Sequence, residues 1–373
     1  MIKMNKKIIE TYAIQFSQLC HMVVLAFLIP ILIGVEEYGK YAAMYAIPGF
    51  FQGMIETFVM LMLMKSILNK PFLKVFFSIV VVAIVMIFTI SFFLFQLKEV
   101  FLILTLFCCL IFRATLISGV YNNTEVSINK IIIGELLTLL TYVLIIFACY
   151  FFYIRSYLLP LFTVCGGAVF SGIYFLRFLR IGTKDNIEKI KTKEVVRSLL
   201  ARTYEDSLLT LTPILIINVF NAKIAGEFRI ITSIIKGMLK LFPYKYELIV
   251  RYVKEGSFRI ESLIKFSIIF IFFGILLYGG VNLFSVLFEL NFSHWLFYLI
   301  ILGGVIVTLL VVYPISVIYL GKLPFITLGA FVLMYSITFY TKKIEFFILS
   351  AYIVNISLYL YVILNLKKKL IVK

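Results

Sequence analysis

Aspartate and histidine are almost missing from this chain of 373 residues. Asp185 and Asp206 are its only aspartates, His21 and His294 its only histidines. Acid–base and metal chemistry usually draws on clusters of these residues. The sequence holds no Asp-x-Asp of the kind that carries a sugar-nucleotide metal, no His-Glu-x-x-His and no Gly-rich phosphate loop ending in Gly-Lys-Ser/Thr. The last absence removes ATP as a direct energy source. Charge is scarce too, at 14% of residues against roughly a quarter in soluble domains. The five cysteines, Cys20, Cys108, Cys109, Cys149 and Cys165, all fall in apolar runs without metal-ligand spacing. They read as small packing residues rather than a disulfide framework or metal site. The expectation is a protein with no catalytic residues, metal or cofactor, and not an enzyme.

What fills the chain instead is apolar: 63% of residues are hydrophobic and 17% aromatic. Apolar runs long enough to cross a bilayer recur from end to end. The first follows Lys3, Lys6 and Lys7, is too long for a signal peptide and lacks a small-residue cleavage site, so it reads as a retained helix. Twelve spans are expected, at 8–33, 41–64, 72–95, 100–121, 131–153, 156–179, 205–222, 227–248, 262–287, 295–320, 323–341 and 345–366. The fold class is all-α and polytopic, with two bundles of six helices. The bundles cover residues 1–180 and 205–373, and a linker over 181–204 carries the only soluble composition.

The net charge of +17 points to orientation, not to nucleic acid. With the N-terminus inside, most lysines and arginines fall in inside segments, above all in the central linker and the C-terminal tail. The positive-inside rule then puts both termini and the linker in the cytoplasm.

The chain echoes itself. "GVEEYGKYAAMYAIPGFFQG" begins at Gly34, and "NAKIAGEFRIITSIIKGMLK" at Asn221. Gly39 and Gly226 lie 187 positions apart (226 − 39 = 187), half the chain, and each is followed two residues later by an aromatic, Tyr41 and Phe228. An even number of spans per half gives both halves the same orientation, related by an axis along the membrane normal.

Polar residues line up on four spans. On the second, Tyr41, Tyr45, Pro48, Gln52 and Glu56 step by three or four residues and form one stripe. An acid at Glu56 costs several kcal/mol unless it is paired, protonated or wet, about 2.5–3.5 on insertion scales for the comparable Asp. Its readings are an ion-coupling site or a structural pair with Arg113. The eighth span carries Arg229, Ser233, Lys236 and Lys240 on one face. Lys240 can snorkel to the cytoplasmic side, whereas Lys236 is far from either end and has no acid within reach on its own span before Glu247. The first span carries Gln15 and Gln18, with His21 nearby, and the seventh carries Thr210 and Asn218. Arg113 on the fourth span is either paired with Glu56 or Glu135 or open to a cavity. Polar faces can also serve helix packing alone.

The two echoing stretches resemble the junctions of helices one and two, and of helices seven and eight, in Wzx-type polysaccharide flippases. That family belongs to the multidrug/oligosaccharidyl-lipid/polysaccharide exporter superfamily. The resemblance implies two six-helix bundles around a central cavity bordered by helices one, two, seven and eight. It implies translocation of a polyprenyl-pyrophosphate-linked oligosaccharide, an O-antigen or capsule-type repeat unit of lipopolysaccharide biosynthesis, across a bacterial inner membrane. Lys236, Arg229, Arg113 and Lys240 would hold the pyrophosphate. Gln15, Gln18, His21, Tyr41, Tyr45, Gln52, Ser233 and Asn218 would line the cavity, with Glu56 available for ion coupling. Partners would be the lipid-linked cargo, membrane lipids and other polysaccharide-assembly proteins, with no nucleic acid. Two other readings stand: a drug or metabolite exporter of the same superfamily, which would favour an acidic cavity, and a polysaccharide polymerase, which would need a long external loop.

Overall fold

The computed structural model describes residues 16–17, 20–63, 70–122, 127–178, 210–241 and 323–371, with single positions at 279, 282, 286, 295, 298 and 300. Every described element is a helix. In chain order they are α1 (Cys20–Ile33), α2 (Val35–Leu63), α3 (Lys70–Leu94), α4 (Leu97–Asn122), α5 (Ile128–Phe151), α6 (Leu158–Leu176), α7 (Thr212–Val219), α8 (Ala222–Leu241), α9 (Leu323–Thr341) and α10 (Ile344–Ile371). Among the described residues, five helices are long and apolar enough to cross a membrane: α3, α4, α5, α6 and α10. The outward face of α3 alone exposes Phe77, Val81, Val82, Val85, Phe92 and Phe93. Such a surface is at home in lipid and not in water. The chain is an all-helical, multi-pass membrane protein.

Among the described residues six helices fall in the first half. In the second half four are described, and the ninth and tenth expected spans lie outside the described residues but for isolated positions. The linker over 181–204 lies outside them as well.

Helix ends follow local chemistry. Gly34 has φ 85°, a left-handed value that costs glycine little, and its N–H closes on the Pro30 carbonyl at 2.8 Å. α2 then starts directly at Val35. The acid-rich stretch expected to precede the second span is thus the first helical turn, where Glu36 and Glu37 meet the positive end of the helix dipole. The second such break falls at Phe220–Asn221, and Asn221 caps α8 by accepting the Ile224 N–H at 2.9 Å. Gly34 and Asn221 are again 187 positions apart (221 − 34 = 187). Upstream of each break a π-helical stretch precedes a proline. Val24–Leu28 leads into Pro30, and a π turn ending at Leu211 leads into Pro213. Proline lacks the N–H that would complete a regular turn, so a widened turn beside it is a low-cost adjustment.

α2 is the hub. It packs against α1, α3, α4, α7 and α8, while α4 and α5 both pack on α6. Phe58 of α2 stacks on Phe72 of α3, which stacks on Phe76. α5 and α6 dock through glycine notches: Gly166 faces Ile145, Gly167 faces the Tyr142 ring, and Gly134 faces the ring of buried Phe175. In lipid such close packing supplies much of the attraction between helices. α9 packs on α10 and reaches α7, where the Tyr335 and Thr212 hydroxyls hydrogen-bond.

Candidate functional site: a cation among tyrosines between α2 and α8

Of the residues expected on the polar stripes of the second and eighth spans, Tyr45 and Arg229 are in contact. α2 and α8 lie against each other from their first turns. The Arg229 guanidinium sits 4.4 Å from the centre of the Tyr45 ring. Tyr38, Tyr41 and Tyr45 form a ladder along α2, with ring centres 5.6 and 5.9 Å apart. The Tyr38 hydroxyl is within hydrogen-bonding reach of Arg229 and Ser233. Among the described residues Arg229 makes no ion pair, and its buried Nε has no hydrogen-bond partner. Among the described residues the cation is held by π faces and hydroxyls, which carry no countercharge.

The stripe continues along α2. The Tyr45 hydroxyl is 3.5 Å from Gln52 Oε1, and Gln52 Nε2 donates to Glu56 Oε2 at 2.9 Å. A polar chain therefore runs along the helix from beside Arg229 to Glu56.

Arg113 behaves differently. Its Nη2 lies 3.0 Å from Glu135 Oε2 on α5, and its Nε donates to Ser171 Oγ on α6 at 3.1 Å. His21 of α1 joins the same carboxylate, with Nδ1 3.5 Å from Oε2 and Nε2 donating to the Glu135 backbone carbonyl at 2.8 Å. Of the two acids expected to compete for Arg113, Glu135 holds it, and Glu56 takes Gln52 instead. His21, expected to line a cavity, is buried against α5 and the Tyr142 ring. Arg113 and His21 thus belong to a clamp joining α1, α4, α5 and α6.

Asn218 is exposed and donates to the Ile214 carbonyl one turn back. Gln15 and Gln18 lie outside the described residues. Lys236 and Lys240 lie on α8, with side chains outside the described residues. Sequence reasoning named Glu135 as one of two partners for Arg113 and passed over Ser171, Tyr38 and Glu227. Tyr38 was open to discovery, since it extends the Tyr41–Tyr45 spacing by one more turn. Glu227, on α8 two residues before Arg229, is fully buried, so α8 does carry a buried acid. Its signal was present as a charge inside an amphipathic stretch. Among the described residues, no three His, Cys, Asp or Glu side chains are placed to hold a metal ion, and all five cysteines are free thiols.

The chain matches no family model, no curated protein and no solved structure.

Proposed function

We propose that this protein is a flippase that carries a polyprenyl-pyrophosphate-linked oligosaccharide from the cytoplasmic to the outer leaflet by alternating access between its halves. The observation that carries this reading is Arg229. It is a buried cation two turns into α8, at the contact between the first and second halves, beside the tyrosines of α2 and free of any ion pair among the described residues. A charge in that setting is costly unless a counter-ion visits it. A pyrophosphate would supply one, through charge-assisted hydrogen bonds to the guanidinium. The tyrosine ladder would offer hydroxyls and ring faces to sugars. Lys236, about two turns further along α8, would extend the cationic face. Both termini would be cytoplasmic, in a bacterial inner membrane, and the protein would act with other polysaccharide-assembly proteins. A cationic centre suits an anionic lipid better than the cationic drugs expected of an exporter with an acidic cavity.

Each variant is tested by surface polysaccharide in a flippase-deficient strain, alongside membrane abundance of the protein. Arg229→Gln and Lys236→Gln are each expected to abolish export at normal abundance, with Lys236→Arg retaining part of it and Lys240→Gln most of it. Full export by Arg229→Ala would remove the cation from the cargo site. Glu56, at the end of the polar chain, is the candidate for ion coupling. If it has that role, Glu56→Gln loses the dependence of export on the proton or sodium gradient, and an unchanged gradient dependence rejects it.

A further inference from the structure

The crossing of α2 and α8 has a symmetry that the Arg229 cluster does not use. Gly39 is the fifth residue of α2, and Gly226 the fifth of α8. A Cβ on Gly39 would run into the carbonyl oxygen of Ala222 and lie 2.9 Å from the Gly226 nitrogen. A Cβ on Gly226 would run into the carbonyl oxygen of Val35 and lie 3.1 Å from the Gly39 nitrogen. Val35 and Ala222 open their helices, and they too are 187 positions apart (222 − 35 = 187). Each contact is therefore the other with the two halves exchanged. Self-complementary contacts of this form arise at a two-fold axis. Here the axis relates two segments of one chain.

The two glycines differ from those between α5 and α6. Gly134, Gly166 and Gly167 each receive a side chain of the facing helix, which locks the helices like a knob in a hole. Gly39 faces backbone, and Gly226 faces backbone with only a methyl of Val35 beside it, so the helices can part without withdrawing a large side chain. While they touch, nothing passes between them at that level. Tyr38 stands beside the crossing itself, and one to two turns further in Tyr41 and Tyr45 of α2 lie on the side of Arg229 and Ser233 of α8. The glycine contact thus lies over the end of the cluster at which both helices begin.

We propose that the Gly39–Gly226 crossing is a gate. It closes the Arg229 cluster from the side where α2 and α8 start, and the halves separate at this point during transport. On the charge-derived orientation that side is the outer one, so the described state is closed to the outside. The gate rests on the transporter reading but not on the identity of the cargo.

The test uses the full chain with its cysteines replaced and Ser233→Cys as reporter, labelled in intact cells by a membrane-impermeant thiol reagent. Gly39→Ala and Gly226→Ala wedge the same contact from its two sides. Each is expected to raise labelling several-fold, to the same extent, and the double variant no further than either alone. Unchanged labelling at normal membrane abundance overturns the gate. Should the alanine variants fail to reach the membrane, Glu36→Cys with Lys223→Cys, another pair at the same offset, is bridged by a flexible bis-thiosulfonate. Export is then expected to stop and to resume on reduction, and export that continues at full bridging overturns the gate. If labelling rises as expected but the parent chain moves no lipid-linked sugar, the gate stands and the flippase reading falls.

Discussion

Glu135 is 1% exposed and receives Arg113 from one helix and His21 from another. Two charges taken out of water are costly, and their attraction recovers that cost only when hydrogen bonds complete the set. Ser171 does so on the arginine side, accepting from its Nε and donating its own O–H to the Gly167 carbonyl at 2.6 Å. Removing one member leaves the other charge buried. Arg113→Ala is therefore expected to cost about 3–5 kcal/mol, read as lost membrane abundance and a lower melting temperature in detergent. Arg113→Gln with Glu135→Gln should recover a substantial part. A double variant no better than Arg113→Ala alone would mean the pair contributes nothing. The sequence offered Arg113 two acids, Glu56 and Glu135, with no means of choosing. The choice depends on how α2, α4 and α5 are rotated about their axes, and periodicity is a poor guide to rotation where nearly every face is apolar. Where a helix has one distinct polar side, as α8 does, the phase was readable, and Arg229 of that side meets Tyr45 of α2.

At the scale of elements, most helix ends sit within a few residues of those expected from hydropathy, because an apolar run ends where the bilayer does. α10 runs five residues past its expected end, and the other exceptions are the starts of α2 and α8. Both begin earlier than the apolar run suggests, since Gly34 and Asn221 start a helix whose first turns carry Glu36, Glu37, Lys40 and Lys223. Polarity there reads as a loop to any hydropathy count. The glycine notches were not legible either, since a glycine in an apolar run does not say which side chain will enter it. They now separate two classes of substitution. Gly167→Ala drives a Cβ into the Tyr142 ring, which is itself buried. Overpacking of this kind costs about 1–3 kcal/mol, so the melting temperature in detergent should fall clearly. Gly329 on α9 has open space around it. Gly329→Ala should be neutral or stabilising by up to about 1 kcal/mol through helix propensity. Equal melting temperatures for the two variants would contradict the α5–α6 packing.

The whole molecule raises the question of which way it faces. Its 35 basic and 18 acidic residues are unevenly distributed along the chain. The stretch from Lys184 to Lys193 and the tail from Lys367 to Lys373 are basic, whereas the junction of α1 and α2 presents Glu36 and Glu37. The Glu37 carboxylate pairs with Lys40 and accepts the Tyr157 N–H at 3.1 Å, which ties the start of α2 to the start of α6. These two helix starts therefore lie on one side of the membrane, and every odd-numbered connection in the first half must lie there with them. Basic clusters are retained on the cytoplasmic side, so that shared side should be the outer one. Single cysteines at Lys189, Lys369 and Glu36 in a cysteine-free chain test this with an impermeant thiol reagent on intact cells. Glu36→Cys should label in intact cells, and the other two only after the membrane is opened. Labelling of Lys189→Cys from outside would reverse the orientation, and with it the direction in which the Gly39–Gly226 crossing closes. It would leave the α2–α8 contact itself untouched, because that contact rests on backbone geometry and not on charge.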